Sequence, residues 1–452
     1  MFSSSRGVRQ GENLSPLLFA LYLNDLRSHL SSCVDGLQIA KEVLYPNLNN
    51  DDSWVDLLLL LYADDTIILA ESAENLQKGL DGLQEYCDRW DLKVNINKTK
   101  IMVFSKGCIR NKPQFSFKKE LIEVCDEFIY LGVKFICTGS FKPAIEALSQ
   151  QANNAMFALL SKGRKLLLST DVMLHLFDST VLPILLYGCE VWGYEDYTVA
   201  NTLYLKFCKI LLGLKKSTNT CMVLGELGRL PLCHFVNQRV INFWAQLIND
   251  DRNKISSMLI KCLTSMKGSS DWNFPWLDFV HDLLDNAGMS YVWQRPNTIS
   301  CNYLKKAYSL RSADICKQNW LCNVRESKKC DIYRIIGKEL KFEKYLFDLP
   351  WLYASQICRL RTSNHRLPVE IGRYTHTLRE NRICVLCDLK AIGDEYHYIM
   401  ECKHFLVERE QYLNITSSSL NKITIFERLL NSDDKKVLLN LSKFIKIIFK
   451  QF

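Results

Sequence analysis

The sequence predicts an α+β fold in the first part of the chain, an all-α region after it, and a small metal-binding module near the C-terminus. Three observations lead to this prediction. Up to about residue 137, short apolar runs of strand length accompany one clear helical pattern, and after it long patterns of helical spacing take over. Between residues 371 and 410, cysteine and histidine residues lie at spacings typical of a zinc site.

The composition is that of an ordinary globular protein. The chain has 452 residues, of which 48% are hydrophobic and 23% charged, so it is long enough to form several domains with their own cores. Its 57 Lys and Arg residues exceed its 49 Asp and Glu residues, which gives a formal net charge of +8. Spread over the whole chain, this excess permits a polyanionic partner without requiring one.

The sequence contains neither a recognisable secretion signal nor a membrane span. The N-terminus, MFSSSRGVRQ, lacks an apolar core, and the most apolar runs, residues 57–61 and 181–187, are far shorter than the ~20 residues of a membrane helix. Most of the 18 cysteines stand singly in apolar runs, which favours reduced thiols. We therefore expect an intracellular protein, in the nucleus or the cytoplasm, without membrane contact.

Helices and strands are both predicted before residue 137. Ser15 is placed to cap a helix, and Pro16 suits the first turn of that helix. A second helix is predicted by an apolar stripe at helical spacing, made of Leu76, Leu80, Leu83, Cys87 and Trp90. Short apolar runs predict strands at residues 55–61, 66–70, 94–96, 101–104, 121–124 and 128–135.

The rest of the chain is predicted to be mainly helical. Helical spacing covers residues 145–168, 172–186, 199–214 and 235–247, and residues 250–350 have the same character. From Asp434 to the C-terminus, the pattern predicts a final amphipathic helix. Its lysines cluster mostly on one side of that helix and are Lys436, Lys443, Lys446 and Lys450.

Asp64 and Asp65 are the most informative residues of the chain, because they lie between two apolar strands at the tip of a predicted β-hairpin. Adjacent carboxylates repel each other and so destabilise a fold that holds them together. One interpretation is a plain polar turn, since Asp is common in turns. The other is a Mg²⁺ site for phosphoryl or nucleotidyl transfer, because hard cations prefer several carboxylate oxygens.

Four further blocks stand around this hairpin in a definite order. The sequences RQG at residues 9–11 and LSPLLF at residues 14–19 precede YADD at residues 62–65, and KTK at residues 98–100 and FIYLG at residues 128–132 follow it. In order and spacing, the blocks resemble the later palm motifs of reverse transcriptases. The resemblance is strongest to the enzymes of non-LTR retrotransposons.

The resemblance implies a role for the two aspartates. Asp64 and Asp65 would bind Mg²⁺ or Mn²⁺ in a two-metal site, which activates the primer 3′-hydroxyl and stabilises the charge on the pyrophosphate leaving group. Tyr62, in the same motif, would contact the substrate or the template. Lys98 would lie near the leaving group, and Lys100 is an alternative for this role. The non-functional alternative is that both lysines simply belong to a solvent-exposed turn.

The resemblance also assigns residues that touch the template and the primer. Arg9, Gln10 and Gly11 would lie against the templating base and the incoming nucleotide, where glycine lets the backbone approach closely. Tyr130, Leu131 and Gly132 would form the hairpin that grips the primer end. The partners implied are therefore an RNA template, a DNA primer or target, and deoxynucleotides, as in an RNA-directed DNA polymerase.

The family's architecture predicts how the chain is divided. It would begin with a partial palm of the βαββαβ type and continue with a helical thumb, a helical connecting region, a zinc-knuckle-like module and a basic amphipathic helix. The corresponding residues are 1–137, 138–230, 231–370, 371–410 and 411–452.

The resemblance further implies that part of the palm is missing. In the family, a strand with another catalytic aspartate precedes the RQG block, whereas Met1 stands only eight residues before Arg9. Asp25, Asp51 and Asp52 come after that block and cannot take the same place in the fold. We therefore expect a truncated palm without its fingers, a chain that is inactive alone, and a missing N-terminal part that acts as a partner. The alternative is a non-enzymatic, nucleic-acid-binding remnant that uses the thumb and the zinc module.

The last motif is Cys-x2-Cys-x9-His-x4-Cys, formed by Cys384, Cys387, His397 and Cys402. Three thiolates and one imidazole make a closed tetrahedral set of zinc ligands. His404 is the alternative fourth ligand. The alternative to a metal site is that two unrelated buried cysteines and a surface histidine stand at these spacings by chance. The surrounding sequences LR at residues 360–361, IGRY at 371–374 and DEYH at 394–397 resemble the C-terminal region of animal non-LTR element polyproteins.

Basic residues near this motif and in the predicted thumb are candidates for phosphate contacts. Those near the motif are Arg359, Arg361, Arg366, Arg373, Arg379 and Arg382, and those in the predicted thumb are Lys206, Lys209, Lys215 and Lys216. The alternative for each of these lysines is that it lies on a solvent-exposed helix face without a ligand.

Overall fold

The structure, a computed structural model, describes residues 12–40, 54–105, 107, 111–249, 255–266, 274–295, 299–414 and 421–452. It divides into two compact units. The first, here the sheet unit, comprises Met1–Ala144, Trp244–Phe279 and Pro296–Thr298. The second, here the helical unit, comprises Ile145–Phe243, Val280–Arg295 and Ile299–Phe452. The finer segment boundaries predicted from the sequence stay predictions.

Up to Ala144, the described part of the sheet unit combines short helices with four small sheets. Its elements are α1 (Ser15–Tyr22), α2 (Leu26–Ser31), β1 (Leu37–Ala40), β2 (Trp54–Leu57), β3 (Leu59–Tyr62), β4 (Asp65–Ile68), α3 (Ala73–Arg89), β5 (Lys100–Ile101), β6 (Phe115–Phe117), β7 (Glu120–Val124), β8 (Glu127–Tyr130) and β9 (Val133–Ile136). β1 with β2, β3 with β4, and β8 with β9 form antiparallel pairs. β7 lies between β5, to which it is parallel, and β6, to which it is antiparallel.

Helix α3 organises the core of the sheet unit. The side chain of Ser72 caps its N-terminus by accepting a 3.1 Å hydrogen bond from the backbone N–H of Asn75. One part of its apolar stripe, around Tyr86, packs on α1, α2 and the buried Leu58, and another part packs on the strands that follow the helix. The amphipathic helix predicted from this stripe is thus confirmed, and it packs on Leu59 and Ile68 of the aspartate hairpin as well as on the later strands.

A buried phenol joins α3 to the first two helices. The hydroxyl of Tyr86 donates to Oδ1 of Asp25 at 2.5 Å and to the carbonyl of Tyr22 at 3.2 Å. Burial, and then the hydrogen bond to Asp25, raise the pKa of Tyr86 well above its ordinary value. Asp25 therefore serves a structural hydrogen bond in this fold, whereas Asp51 and Asp52 lie outside the described residues.

Several predicted elements of the sheet unit differ in detail. Ser15 is the first residue of α1 and buried, and Leu14 occupies the cap position without a side-chain hydrogen bond, so the prediction that Ser15 caps the helix was wrong. Residues 94–96 form no strand, and only Lys100–Ile101 is extended in the next predicted run. The single strand predicted at residues 128–135 is instead a hairpin, because the chain reverses at Leu131 and Gly132.

The remainder of the chain is helical, as predicted. Its helices are α4 (Lys142–Lys165), α5 (Thr170–Leu176), α6 (Leu182–Leu185), α7 (Cys189–Trp192), α8 (Thr198–Leu211), α9 (Thr220–Glu226), α10 (Leu232–Ile248), α11 (Ile255–Met266), α12 (Pro275–Asn286), α13 (Ser290–Gln294), α14 (Cys301–Glu326), α15 (Tyr333–Ile336), α16 (Tyr345–Asp348), α17 (Trp351–Arg361), α18 (Pro368–Tyr374), α19 (Glu395–Met400), α20 (Leu406–Leu413), α21 (Lys422–Leu430) and α22 (Lys435–Phe449). Asp434 caps α22, the predicted final helix. Among the helices of the described residues, none is both long enough and apolar enough to cross a bilayer.

A fully buried guanidinium connects distant parts of the helical unit. The Nε of Arg361, at the end of α17, donates to Oε1 of Glu226 at 2.9 Å, and its Nη2 lies 2.6 Å from Oε1 of Glu343. Its Nη1 donates to the carbonyl of Leu430 at 2.7 Å, and the hydroxyl of Tyr345 donates to Glu226. Burial disfavours the charge on Arg361, but the two carboxylates more than offset this effect and raise its pKa.

We expect Arg361→Ala to lower the free energy of unfolding by about 3–5 kcal/mol, because removing one partner leaves the carboxylate of Glu226 buried without compensation. Urea unfolding followed by circular dichroism measures this change. The matched control is Arg366→Ala, since Arg366 is exposed and lies five positions further along the chain. This control should stay within about 0.5 kcal/mol of the parent chain. Equal effects of the two substitutions would show that the buried network contributes nothing to stability.

Candidate active site and candidate metal centre

The aspartate hairpin is a tight two-residue turn. Tyr62 of β3 pairs with Asp65 of β4, so Ala63 and Asp64 alone connect the strands. Ala63 has a φ of +53°, in the left-handed region that costs a residue with a side chain roughly 1–2 kcal/mol. Strained residues of this kind are concentrated at functional sites, where the surrounding structure holds them in place.

Both carboxylates of this hairpin are exposed to solvent. Asp64 and Asp65 are exposed, as is Tyr62, of whose surface 62% is accessible. Within the described ranges, no third carboxylate, histidine or cysteine joins the two aspartates in a metal-sized group. The hairpin therefore offers two neighbouring carboxylates at an open surface, and Mg²⁺ prefers oxygen ligands of this kind with part of its coordination left to water and phosphate.

A second hairpin, β8–β9, lies beside the first. Its turn consists of Leu131 and Gly132, with φ of +47° and +80°. Partial burial, and then the charge of Asp65 and the neighbouring Tyr62, raise the pKa of Tyr130. The structure thus brings Tyr130 close to Asp65 and Tyr62, although they are separated by more than sixty positions in the sequence.

The two candidate lysines differ in their surroundings. Lys100 pairs with Glu123 across β5 and β7 at 2.5 Å. In the part of the chain that the structure describes, Lys98 forms no ion pair with Asp64 or Asp65, and its backbone N–H donates to the side chain of Asn95 at 3.3 Å. The lysines are therefore not joined to the aspartates here, and Arg9, Gln10 and Gly11 lie outside the described residues.

The cysteine and histidine residues of the second motif converge in the helical unit. A short β-bridge between Ile383 and Ile392 folds the chain back, so that the backbone N–H of Cys384 donates to Ala391 at 2.8 Å. The side chain of Asp394 then caps α19 by accepting a 2.9 Å hydrogen bond from the backbone N–H of His397. These turns bring the two halves of the motif together.

The four side chains form a compact group. Sγ of Cys384 lies 3.9 Å from Sγ of Cys402, and Sγ of Cys387 lies 3.4 Å from Nε2 of His397. All four candidate ligand atoms lie within 4.8 Å of one another. Tetrahedral zinc with ordinary bond lengths separates such ligands by about 3.5–3.8 Å, so the donor set fits this ion in chemistry and in spacing. The alternative ligand, His404, is exposed and is not part of the group.

Buried polar groups surround this centre. Nδ1 of His397 is buried without a hydrogen-bond partner and lies 3.7 Å from Oε2 of Glu401. The buried Arg409 donates to the carbonyls of Ile399 at 2.6 Å and of Cys402 at 2.8 Å. In metal sites the second ring nitrogen of a ligating histidine is usually oriented by a carboxylate, and Glu401 is placed for that role.

Several basic residues predicted for phosphate contacts have intramolecular partners instead. Arg361 is the centre of the buried network and cannot reach a ligand, so its assignment to nucleic-acid binding was wrong. Arg382 donates to the backbone carbonyls of Thr377 and Val369 at 2.9 Å. Arg373 pairs with Glu370 at 3.1 Å. Buried or satisfied guanidinium groups hold this region together rather than face a partner.

The lysines of the predicted thumb divide in the same way. Nζ of Lys206 donates to Asn153 at 3.1 Å and lies 4.6 Å from the centre of the Phe157 ring. Lys209 donates to the carbonyl of Lys216 at 2.7 Å, and burial lowers its pKa. Lys215 and Lys216 are exposed. Only part of the predicted basic surface is thus available to phosphates.

Sequence reasoning missed a buried pair beside the metal centre. Nε2 of His365 lies 2.8 Å from Oε1 of Glu395, the first residue of α19, and Oγ of Ser363 donates to the same oxygen at 2.9 Å. The backbone N–H of Leu367 reaches Nδ1 of His365 at 3.3 Å. No local spacing relates residues thirty positions apart, so the sequence carried no signal for this contact.

The chain is similar in sequence to known proteins of mobile elements. Residues 2–135 match the family described as reverse transcriptase (RNA-dependent DNA polymerase). The chain is 26% identical over 214 residues, 45% of its length, to the RNA-directed DNA polymerase from mobile element jockey of Drosophila melanogaster. It is 28% identical over 195 residues, 41% of its length, to a probable RNA-directed DNA polymerase from transposon BS of the same fly. To a Pol polyprotein from the type-1 retrotransposable element R2 of Popillia japonica it is 29% identical over 192 residues, 41% of its length.

These matches cover 21%, 20% and 24% of the three relatives, so the chain spans only about a fifth to a quarter of their length. The matched family region contains both the aspartate hairpin and nearly all of the second hairpin beside it. Residues 2–135 therefore resemble the reverse transcriptase family, and the proteins that the chain is similar to are RNA-directed DNA polymerases and Pol polyproteins of retrotransposable elements.

Proposed function

We propose that this chain contributes the metal-binding and primer-binding hairpins of an RNA-directed DNA polymerase. Its partners would be an RNA template, a DNA primer or target, and deoxynucleotides. The observation that carries this proposal is a pair of tight turns in the sheet unit: one exposes Asp64 and Asp65, and the other follows Tyr130, which lies close enough to Asp65 for the charge of that carboxylate to raise its pKa. The match of residues 2–135 to the reverse transcriptase family supports it independently.

The residues have distinct tasks in this mechanism. Asp64 and Asp65 present carboxylate oxygens at the tip of a hairpin whose strained turn fixes their direction. A bound Mg²⁺ would supply the acidity that activates the primer 3′-hydroxyl and the positive charge that stabilises the departing pyrophosphate. Tyr130 and the turn at Leu131 and Gly132 would hold the primer end against the aspartates, which limits the reacting atoms to one orientation.

Replacing one carboxylate tests the catalytic assignment. The assay measures Mg²⁺-dependent primer extension on an RNA template by the chain joined to the upstream palm and fingers of a jockey-type relative. Asp64→Asn keeps the shape of the side chain but removes its charge, so extension should fall by about 10³-fold or more. The control is Asp35→Asn, because Asp35 is an exposed aspartate of the same unit.

In that assay the control should extend primers like the parent protein. Near-normal extension by Asp64→Asn would mean that the hairpin is only a turn. Loss of extension in both variants, with unchanged circular dichroism, would also contradict a specific role for Asp64.

We propose that the Cys384, Cys387, His397 and Cys402 group binds one Zn²⁺ and that this metal stabilises the local fold. The 3.4 Å and 3.9 Å separations between opposite ligand atoms support the proposal, as does the choice of three sulfurs and one nitrogen. A 3.4 Å contact from the backbone N–H of Leu386 to Sγ of Cys384 adds a donor suited to a thiolate. The zinc would be structural, because four protein ligands leave no position for a substrate.

Metal analysis of the chain as it stands tests this second assignment. One zinc ion should be present per chain, and Cys387→Ser should release it and speed amide hydrogen exchange across residues 383–402, because the segment has little core of its own. The control is Cys322→Ser, since Cys322 is an exposed cysteine outside the group. It should keep both the metal and the exchange protection. A chain without zinc, or a Cys387→Ser chain that keeps it, would rule out the proposed ligand set.

A further inference from the structure

A cavity of about 280 Å³ opens in the helical unit, and none of the four candidate zinc ligands is among its lining residues. Three segments line it: the loop between α8 and α9 with Lys215, the loop between α14 and α15 with Lys329, and the stretch from the end of α17 to the end of α18. Its volume lies just below the usual range for small-ligand pockets, about 300–1,000 Å³. It is large enough for one small planar group and too small for a duplex.

One largely buried residue of this lining has a side-chain amide without a hydrogen-bond partner in the described part of the chain. Asn364 is only 7% exposed and lines the cavity. Its backbone groups are used, since its N–H donates to the carbonyl of Arg359 at 2.8 Å and its carbonyl accepts from Nε of Arg359 at 3.3 Å. Within the described ranges its side chain forms no hydrogen bond. A buried amide offers donors and an acceptor, and leaving them unpaired destabilises the fold unless a ligand or water satisfies them.

Two cationic groups stand at the rim with their charges uncompensated. Lys215 and Lys329 are exposed, line the cavity and form no ion pair within the described part of the chain. The third cation of the lining, Arg373, is paired with Glu370 at 3.1 Å and with Asp331 at 3.5 Å. The rim therefore carries two free ammonium groups from separate loops, which is a suitable arrangement for an anionic group such as a phosphodiester.

An aromatic ring completes the lining. Tyr374, the last residue of α18, is 67% exposed although it borders the cavity. An exposed aromatic face beside free cations is the usual platform on which a nucleic-acid base stacks. His365, also in the lining, has both ring nitrogens engaged, with Glu395 and with the N–H of Leu367. It is therefore a fixed wall of the cavity, and the site is suited to binding rather than to catalysis.

We propose that this cavity binds one nucleotide of a single-stranded nucleic acid. The phosphate lies between Lys215 and Lys329, the base stacks on Tyr374, and the amide of Asn364 hydrogen-bonds the edge of the base. The choice of a nucleic acid as ligand rests on the proposed function, whereas the place and the manner of binding follow from the cavity. A duplex is excluded, because its bases are stacked inside and cannot enter a pocket of this size.

Fluorescence anisotropy with the full chain and labelled 15-nucleotide single strands, one of RNA and one of DNA, tests the proposal without metal or nucleotides. Tyr374→Ala should weaken binding by about 5- to 150-fold, the range for loss of one stacked base, while Tyr374→Phe should bind like the parent chain. Asn364→Ala should weaken binding as well. A tyrosine that acted only through its hydroxyl would give equal losses of affinity for Tyr374→Phe and Tyr374→Ala, because both replacements remove that group.

The phosphate contacts are tested by a matched pair of double variants. Replacing Lys215 and Lys329 by alanine should reduce the slope of log affinity against log salt by about 0.7, since the two lysines share one phosphate and each neutralised phosphate of a single strand contributes about that amount. Replacing Lys306 and Lys328, which are exposed and lie outside the lining, removes the same charge and should leave the slope nearly unchanged. Equal slopes for both double variants would overturn the assignment.

The outcomes separate this proposal from the polymerase assignment. The anisotropy assay contains neither metal nor nucleotides, so a failure of the aspartate hairpin in primer extension would leave the cavity's function intact. Similar losses for RNA and DNA would place the recognition in the shared phosphate and base, and a loss confined to RNA would add its 2′-hydroxyl. A Tyr374→Ala chain that is folded by circular dichroism and binds both strands normally, or a parent chain that prefers a duplex, would overturn the proposal.

Discussion

The guanidinium of Arg361 is the contact on which most of the helical unit depends. It reaches Glu226 across 135 positions of sequence, contacts Glu343, and ties both to the end of α21. A charge with no exposed surface is stable only while all of these partners are present, so the helices that supply them must assemble together. Because α17 ends at Arg361, the same network fixes the start of the stretch that leads to Asn364 and α18.

The sheet unit depends on a different constraint, namely the short length of its turns. In each of two hairpins, a two-residue connection joins the ends of the paired strands. Each connection uses backbone angles that most residues avoid. Gly132 accommodates such angles without strain, whereas Ala63 does not. The aspartate tip is therefore held by the pairing of β3 with β4, and the direction of its carboxylates follows from strand register rather than from side-chain contacts.

Local patterns made part of this architecture predictable. The aspartate hairpin, the stripe of α3 and the spacing of Cys384, Cys387, His397 and Cys402 involve neighbouring residues, and their placement follows from the period of a strand or helix and from ligand chemistry. Contacts between distant residues were not predictable. Charge suggested that Arg361 faces a nucleic acid, but only the fold shows that Glu226 neutralises it. The cavity around Asn364 likewise joins three segments that no spacing relates.

The hydrogen bond between His365 and Glu395 connects the candidate metal centre to the cavity, so the two sites are coupled energetically as well as adjacent. Glu395 begins the helix that carries His397, and His365 follows Asn364 in the chain. Local unfolding of α19 would break this hydrogen bond, and the imidazole of His365, which forms one wall of the cavity, would then lose its fixed position. By thermodynamic linkage, a nucleotide that orders this wall would raise the affinity for zinc by the same factor as zinc raises the affinity for the nucleotide. If the proposed zinc and the proposed nucleotide both bind, the availability of zinc sets how firmly the chain holds a single strand.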